Sequence, residues 1–159
     1  MKQLQTIKRR FQLTKLIKED ILSYTYLGLD LKTQQSVLIK QYKKEYLANS
    51  FIPKLIKYCE ELIPIKHKNI LSLLDYHYDG VSFFSVQVFL PDLISGPVFL
   101  KQQKQLSFAQ ICHICGQLFH VFKFFQEKKL IYGSLNLEQL YFDQSLELKL
   151  AAPGLYALI

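Results

Sequence analysis

Hydrophobic positions in the first half of the chain follow the two-residue period of β-strands. Strand-like runs cover residues 11–17, 23–30 and 36–42, and a polar segment at 32–35 predicts a hairpin turn. Residues 70–78 and 81–90 form two further runs on either side of Asp79-Gly80, a dipeptide typical of tight hairpins. The pattern therefore predicts an antiparallel sheet.

Two segments show helical spacing instead. Residues 51–62 repeat apolar side chains every three or four positions, and Pro64 ends this helix because proline lacks the amide donor. Residues 107–128 form the longest helical run and are apolar on nearly every side, which is typical of a helix buried all round. Residues 91–97 predict a hinge, and 137–142 and 146–150 predict short strands. The predicted order is βββαββ, a long helix and a β-hairpin, an α+β fold.

Charge and composition narrow the classes of partner. The formal net charge is +7, and Arg9 and Arg10 are the only arginines among twenty basic residues. Lysine makes diffuse point-charge contacts rather than the planar contacts that read bases. We therefore expect protein partners with acidic and apolar surface, and no specific nucleic-acid binding. Two basic clusters, residues 8–10 and 43–44, are open to two interpretations, solvated surface or contact with an anionic lipid or nucleic acid.

The compartment is predicted from cysteine usage and residue bias. Cys59, Cys112 and Cys115 are odd in number and follow no signal-like start, which favours a reducing, intracellular compartment. No apolar run approaches the roughly 18 residues of a membrane span. Abundant Lys, Ile, Leu and Tyr without Trp is typical of AT-rich coding, so we expect an organellar protein, with the plastid stroma and peripheral contact with a membrane complex as options.

Three segments resemble the protein kinase family. Val37-Leu38-Ile39-Lys40 is similar to the kinase Val-Ala-Ile-Lys, and residues 67–70 to its His-Pro-Asn-Ile. Residues 125–134 resemble its Leu-His-Glu-Lys-Gly-Ile-Ile-His-Gly-Asp. The resemblance implies one kinase-like domain over 1–159, with an N-lobe-like part (11–90), a hinge (91–97) and a C-lobe-like part (98–159). The family's activation segment begins where this sequence stops, so the resemblance also implies a C-terminally truncated C-lobe.

The residues that perform kinase chemistry are replaced at the matching positions. Ser134 stands at the catalytic Asp, and Gln139 at the metal-binding Asn. The remaining differences are Asn136 for the loop Lys, Ala152-Pro153-Gly154 for Asp-Phe-Gly, Lys18, Asp20 and Ser23 for the three glycines of the phosphate loop, and Tyr58, with Glu60 and Glu61 nearby, for the helix Glu. The resemblance thus implies no catalytic residues, no bound metal and no cofactor.

The functional hypothesis is a non-catalytic kinase-like scaffold or linker subunit of a larger assembly, an organellar and photosynthetic one among the options. Partner contacts are expected around Phe119, Phe122 and Phe125, because the family's later helices, which would cover this helix, do not follow in the sequence. One alternative is a regulatory pseudokinase that binds nucleotide through Lys40, and another is an atypical active kinase. Cys112, Cys115 and His120 do not share one helix face, so buried small hydrophobic residues are favoured there over metal ligands.

Overall fold

The computed structural model describes residues 6–103, 105–133 and 135–151. The chain divides into two compact units. The sheet unit comprises the described residues up to Ile65 together with Ser72–Leu90, and the helical unit comprises Lys66–Leu71 together with the described residues from Pro91 onwards.

The sheet unit is built on six antiparallel strands in the order β1-β2-β3-β4-β6-β5. Helix α1 (Ile52–Leu62) lies between β4 and β5 in the chain and buries Leu55, Cys59 and Leu62. The strands are β1 (Thr6–Ile7), β2 (Phe11–Glu19), β3 (Ser23–Asp30), β4 (Gln35–Tyr42), β5 (Leu73–Tyr78) and β6 (Phe83–Val88).

One face of this sheet forms an apolar core, because alternate strand residues point to the same side. The core contains Ile7, Phe11, Leu13, Val37, Ile39, Phe84 and Val86. Gly28 on β3 lets two strands and a core side chain meet closely, since a Cβ at this position would lie 2.8 Å from the carbonyl oxygen of Gln12 and also against Ile39. Leu38 and Phe83, which point to the opposite face, are buried as well, so β4 and β6 are covered on both sides of the sheet.

The helical unit combines helices α2 (Gly96–Gln102) and α3 (Phe108–Glu127) with a small three-stranded sheet. The strands of this sheet are β7 (Ile94–Ser95), β8 (Leu140–Phe142) and β9 (Leu148–Leu150), in the order β7-β8-β9. Phe99 of α2 stacks on Phe142 of β8 with ring centroids 4.3 Å apart. Ile70, from the segment 66–71, forms a parallel bridge to Leu150.

The prediction of a mixed α+β architecture is confirmed, and β2, β3, β4, α1 and α3 lie within one or two residues of their predicted starts. Within the region 91–97, predicted as a hinge, the structure contains β7 and the start of α2. Pro97 does not break this helix, because the first helical positions need no amide donor. The predicted strands at 70–78 and 137–142 begin later, at Leu73 and Leu140, and the two-residue strand β1 was not predicted.

Candidate functional site

Helix α3 is held at both ends by its own sequence. At its start, the Ser107 hydroxyl accepts a hydrogen bond from the Gln110 amide (3.3 Å), and the Gln110 side chain accepts one from the Ser107 amide (2.8 Å). This capping box satisfies amides that the helix leaves without partners. At its end, the amides of Lys129 and Leu130 donate to Gln126 and Phe125. Its side chains are therefore presented on a well-defined helix.

The buried face of α3 carries Gln117, Val121 and Phe125, spaced four residues apart. The Gln117 side-chain oxygen accepts hydrogen bonds from the Asn69 side chain and the Leu148 amide, each at 2.8 Å, and its nitrogen donates to the Leu146 carbonyl. Phe125 packs edge-on to Tyr132 with ring centroids 5.5 Å apart. This face therefore packs inside the helical unit.

The other face of α3 is apolar and exposed. We call it the outer face, defined by Phe108, Ile111, Cys112, Cys115, Phe119 and Phe122. Phe108 is 82% exposed and Phe119 66% exposed. From Phe108 to Phe122 the helix carries no Asp, Glu, Lys or Arg. One stripe of α3 thus packs internally, while the outer face stays exposed although its side chains are as apolar as those of a buried helix.

The three predicted partner-binding residues are split between these faces. Phe119 and Phe122 lie on the outer face, whereas Phe125 is only 2% exposed and belongs to the buried face. The sequence hypothesis overlooked Phe108, whose exposed fraction is larger than those of Ile111, Phe119 and Phe122. The seven-residue spacing of Phe108, Cys115 and Phe122 is the signal that could have identified this stripe.

Lys40 lies on β4 and is half-buried, opposite Thr25 on β3 and Ser85 on β6. The two acidic residues predicted near its helix partner have other contacts. The Glu60 carboxylate accepts a hydrogen bond from the Tyr76 hydroxyl at 2.9 Å, and the Glu61 carboxylate lies 4.0 Å from the Lys57 ammonium group. Tyr58 is buried, and this burial raises the pKa of its hydroxyl far above the ordinary value.

The residues predicted to match the kinase phosphate loop lie in and around a tight turn between β2 and β3. The Asp20 carboxylate accepts hydrogen bonds from the amides of Leu22 (2.9 Å) and Ser23 (2.8 Å), and from the Ser23 hydroxyl. An anion-binding loop works by pointing free amides at phosphate oxygens. Here a carboxylate of the same turn already binds two of these amides, so the turn is unsuited to a nucleotide phosphate.

Two residues in the segments predicted to resemble the kinase catalytic loop, Tyr132 and Gln139, form local hydrogen bonds in the part of the chain that the structure describes. The Gln139 side-chain oxygen accepts a hydrogen bond from the Asn136 amide at 2.9 Å and thereby caps the 3-10 turn Leu137–Gln139. The Tyr132 hydroxyl donates to the Ala151 carbonyl at 3.0 Å and is buried. The predicted replacements Ser134 and Ala152-Pro153-Gly154 lie outside the described residues.

The cysteines differ in environment. Cys59 is buried, and this burial raises the pKa of its thiol to about 12, so it stays protonated at neutral pH. Cys112 and Cys115 are exposed on the outer face, which corrects the expectation that they are buried. Within residues 6–103, 105–133 and 135–151, no three His, Cys, Asp or Glu side chains converge on a metal position.

Most side chains of the two basic clusters, residues 8–10 and 43–44, form ion pairs with carboxylates of the sheet unit. The Lys8 ammonium group lies 2.6 Å from the Asp75 carboxylate, and that of Lys43 lies 2.7 Å from Glu19. Arg10 binds Asp30 through two hydrogen bonds of 3.0 and 2.7 Å. Three of the five clustered cations therefore neutralise local carboxylates, which favours the solvated-surface interpretation over a nucleic-acid interface.

No helix in the described ranges combines the length and apolarity needed to cross a bilayer. A scan against protein-family models finds no match for this chain, and a search of the curated proteins finds none either.

Proposed function

We propose that this chain is a non-catalytic, kinase-like binding module that acts as a scaffold subunit in a protein assembly and engages its partner through the outer face of α3. The observation that carries the proposal is the exposure of Phe108, Ile111, Phe119 and Phe122 along one side of a capped helix.

Exposed apolar area of this kind favours docking for a physical reason. Full burial of one large apolar side chain stabilises a protein or a complex by about 1.5–3 kcal/mol. Scattered apolar residues on a surface are ordinary, but a contiguous stripe marks an interaction site. The absence of charged residues from Phe108 to Phe122 adds to this, since the centres of interfaces are depleted in charge.

The kinase-like part of the proposal is supported by the order of elements. Strands β2, β3 and β4, helix α1, strands β5 and β6, the long α3 and the hairpin β8–β9 follow one another as the resemblance implies. The non-catalytic part is supported by Asp20 and Gln139, whose side chains are engaged in local turns. The proposal also places the chain in an organellar assembly, with a photosynthetic one among the options. This part rests only on the residue usage of the sequence.

Purification of the tagged full chain from its native source tests this function. Phe119→Asp is expected to reduce the recovered partner at least tenfold, because it places a carboxylate in an apolar interface. Leu16→Asp is the matched control, since Leu16 is an exposed apolar residue on the sheet unit. Lys40→Ala is a second control. Unchanged recovery with folded Phe119→Asp protein would refute docking through this face.

A further inference from the structure

We propose that the outer face of α3 binds an amphipathic α-helix of another protein, which carries an apolar stripe and acidic residues at its edges. This inference rests on the proposed function and specifies the partner of the same face. The helical form of the partner follows from the geometry of α3, and its acidic edges follow from the charge distribution around α3.

The helical form of the partner follows from the spacing of the outer face. Phe108, Cys115 and Phe122 are seven residues apart, as are Cys112 and Phe119, so the apolar side chains form one straight stripe along the helix. A twenty-residue helix is about 30 Å long. A second helix with a matching seven-residue repeat can follow such a stripe over its whole length, with side chains packing between those of α3.

The backbone of α3 also permits close approach beside this stripe. Gly116 lies in the exposed part of the helix, and a Cβ built at this position meets no atom within 4 Å. The intramolecular packing therefore leaves this side of the helix open. The neighbouring Cys112 and Cys115 are small, so the stripe has a shallow centre between the phenyl rings of Phe108 and Phe119.

The acidic character of the partner follows from the charges around the stripe. Lys123, four residues after Phe119, is exposed, and Lys128 and Lys129 are exposed at the end of α3 with Glu127 beside them. Another acidic residue in contact with the helix, Glu147, lies 3.7 Å from the His113 side chain. The chain as a whole has a net charge of +7. Two copies would each bring a net charge of +7 to the contact, whereas acidic residues at the edge of a partner helix pair with the lysines of α3.

Designed peptides test both parts of the inference with the full chain. Two labelled peptides carry the same stripe of Leu residues in a seven-residue repeat, and they differ only in having Glu or Lys at the positions that flank the stripe. A third peptide keeps the flanking Glu residues but has the Leu positions scrambled. By fluorescence anisotropy, the Glu-flanked peptide is expected to bind at least tenfold more tightly than either of the others. Phe119→Asp is expected to abolish this binding.

The role of charge is tested on the protein. Lys123→Glu is expected to reduce the preference for Glu over Lys flanks several-fold, and Lys54→Glu on α1, which makes the same charge change at an exposed position of the sheet unit, is expected to leave it unchanged. An equal effect of the two variants would show a general charge effect and would overturn the proposed pairing at the edge of α3.

Thiol labelling locates the peptide independently. Cys112 and Cys115 are exposed on the outer face and are expected to react with maleimide in the isolated chain, whereas buried Cys59 is the internal reference. Saturating Glu-flanked peptide is expected to slow labelling of the first two at least tenfold. Unchanged labelling would show that the peptide does not cover the outer face and would overturn the inference. Dimers of the chain at micromolar concentration, or faster labelling after deletion of residues 152–159, would assign the face to a second copy or to the chain's own C-terminal residues and would also overturn it.

Failure of this inference is distinguishable from failure of the proposed function. If no peptide binds but the native complex still depends on Phe119, the helical acidic partner is refuted and docking through α3 stands. If the native complex survives Phe119→Asp, both are refuted.

Discussion

At the scale of single residues, the chain places several charged side chains in defined pairs rather than on a free surface. Asp30 is the clearest case, since it is almost fully buried and binds the Arg10 guanidinium through both carboxylate oxygens. A buried carboxylate of this kind needs its partner, because removal of one member leaves an uncompensated charge. The sequence placed Arg10 only in a basic cluster, since nothing in the local pattern connects it with a residue twenty positions away.

The Asp30–Arg10 pair predicts a specific dependence of stability on pH. The hydrogen bond from Arg10 lowers the pKa of the Asp30 carboxyl from 3.8 to about 2. Because the folded-state pKa lies below the unfolded value, the stabilisation is complete above about pH 4 and is lost as pH falls towards 2. With allowance for solvent at Arg10, whose side chain is 36% exposed, we expect a loss of about 1–2 kcal/mol.

Urea unfolding between pH 6 and 2 measures this contribution. Asp30→Asn is expected to lower the free energy of unfolding at pH 6 and to show the smaller decline on acidification. Asp92→Asn makes the same charge change at an exposed site and is expected to retain the wild-type pH profile. Parallel profiles for wild type and Asp30→Asn would exclude the pair as the source of the acid sensitivity.

At the scale of elements, the sequence predicted most of what depends on local periodicity. Strands β3 and β4 follow from alternation, and α1 and α3 follow from three- and four-residue spacing. The outer face of α3 did not follow from composition, because Phe119 and Phe125 are the same residue type six positions apart. Which of them is buried depends on the polar contacts of Gln117 with Asn69 and Leu148, which join distant parts of the chain.

The end of α3 is strained in one residue. Lys129 has a φ of 55°, a left-handed conformation, while its amide and that of Leu130 close the helix by donating to Gln126 and Phe125. Glycine is the usual residue here because a Cβ is unfavourable in this conformation. Lys129→Gly is therefore expected to raise the free energy of unfolding by about 0.5–1 kcal/mol, after the entropy cost of glycine.

The neighbouring residue provides the control for this change. Lys128 has an ordinary φ of −83°, so Lys128→Gly relieves no left-handed strain. It loses the same charge, gives up the contact of the ammonium group with the Phe124 ring (5.9 Å) and gains backbone entropy in the unfolded state. It is expected to be destabilising in the same denaturation experiment. Equal effects of the two substitutions would indicate that the loss of a lysine, rather than relief of the left-handed conformation, determines stability.

Replacement of two glycines by alanine is expected to change the stability of the chain in opposite directions. Gly116 is inside α3 with open space around it, so Gly116→Ala is expected to stabilise the chain by about 0.5–1 kcal/mol through helix propensity. Gly28→Ala instead forces a Cβ against the Gln12 carbonyl and Ile39 between paired strands, and is expected to destabilise by about 1–3 kcal/mol. Thermal and urea unfolding of both variants measure this contrast, and a stabilising Gly28→Ala would contradict the packing of β2, β3 and β4.

At the scale of the whole molecule, motif order and exposed surface carry the functional proposal together. The order of elements was predictable because each segment has its own local pattern of apolar and polar residues. The role of the side chains in those segments was not predictable, because it depends on contacts such as those of Asp20 with Leu22 and Ser23. At Asp20, Tyr132 and Gln139, which the sequence resemblance aligns with kinase positions, the side chains form local hydrogen bonds that hold the backbone in place. We take this as support for the proposed binding role over phosphoryl transfer.

This interpretation predicts that the chain neither transfers phosphate nor holds ATP tightly. The carboxylate of Asp20 occupies the amides that a phosphate needs and repels its charge, so we expect a Kd for ATP weaker than about 1 mM, or less than about 4 kcal/mol of binding free energy. Isothermal calorimetry with Mg²⁺ and a radiolabel transfer assay measure both properties, with Lys40→Ala as the comparison. A micromolar Kd that weakens in Lys40→Ala would favour the nucleotide-binding pseudokinase. Transfer of label that Lys40→Ala abolishes would establish an atypical kinase, and the outer face of α3 would then be a docking site on an enzyme.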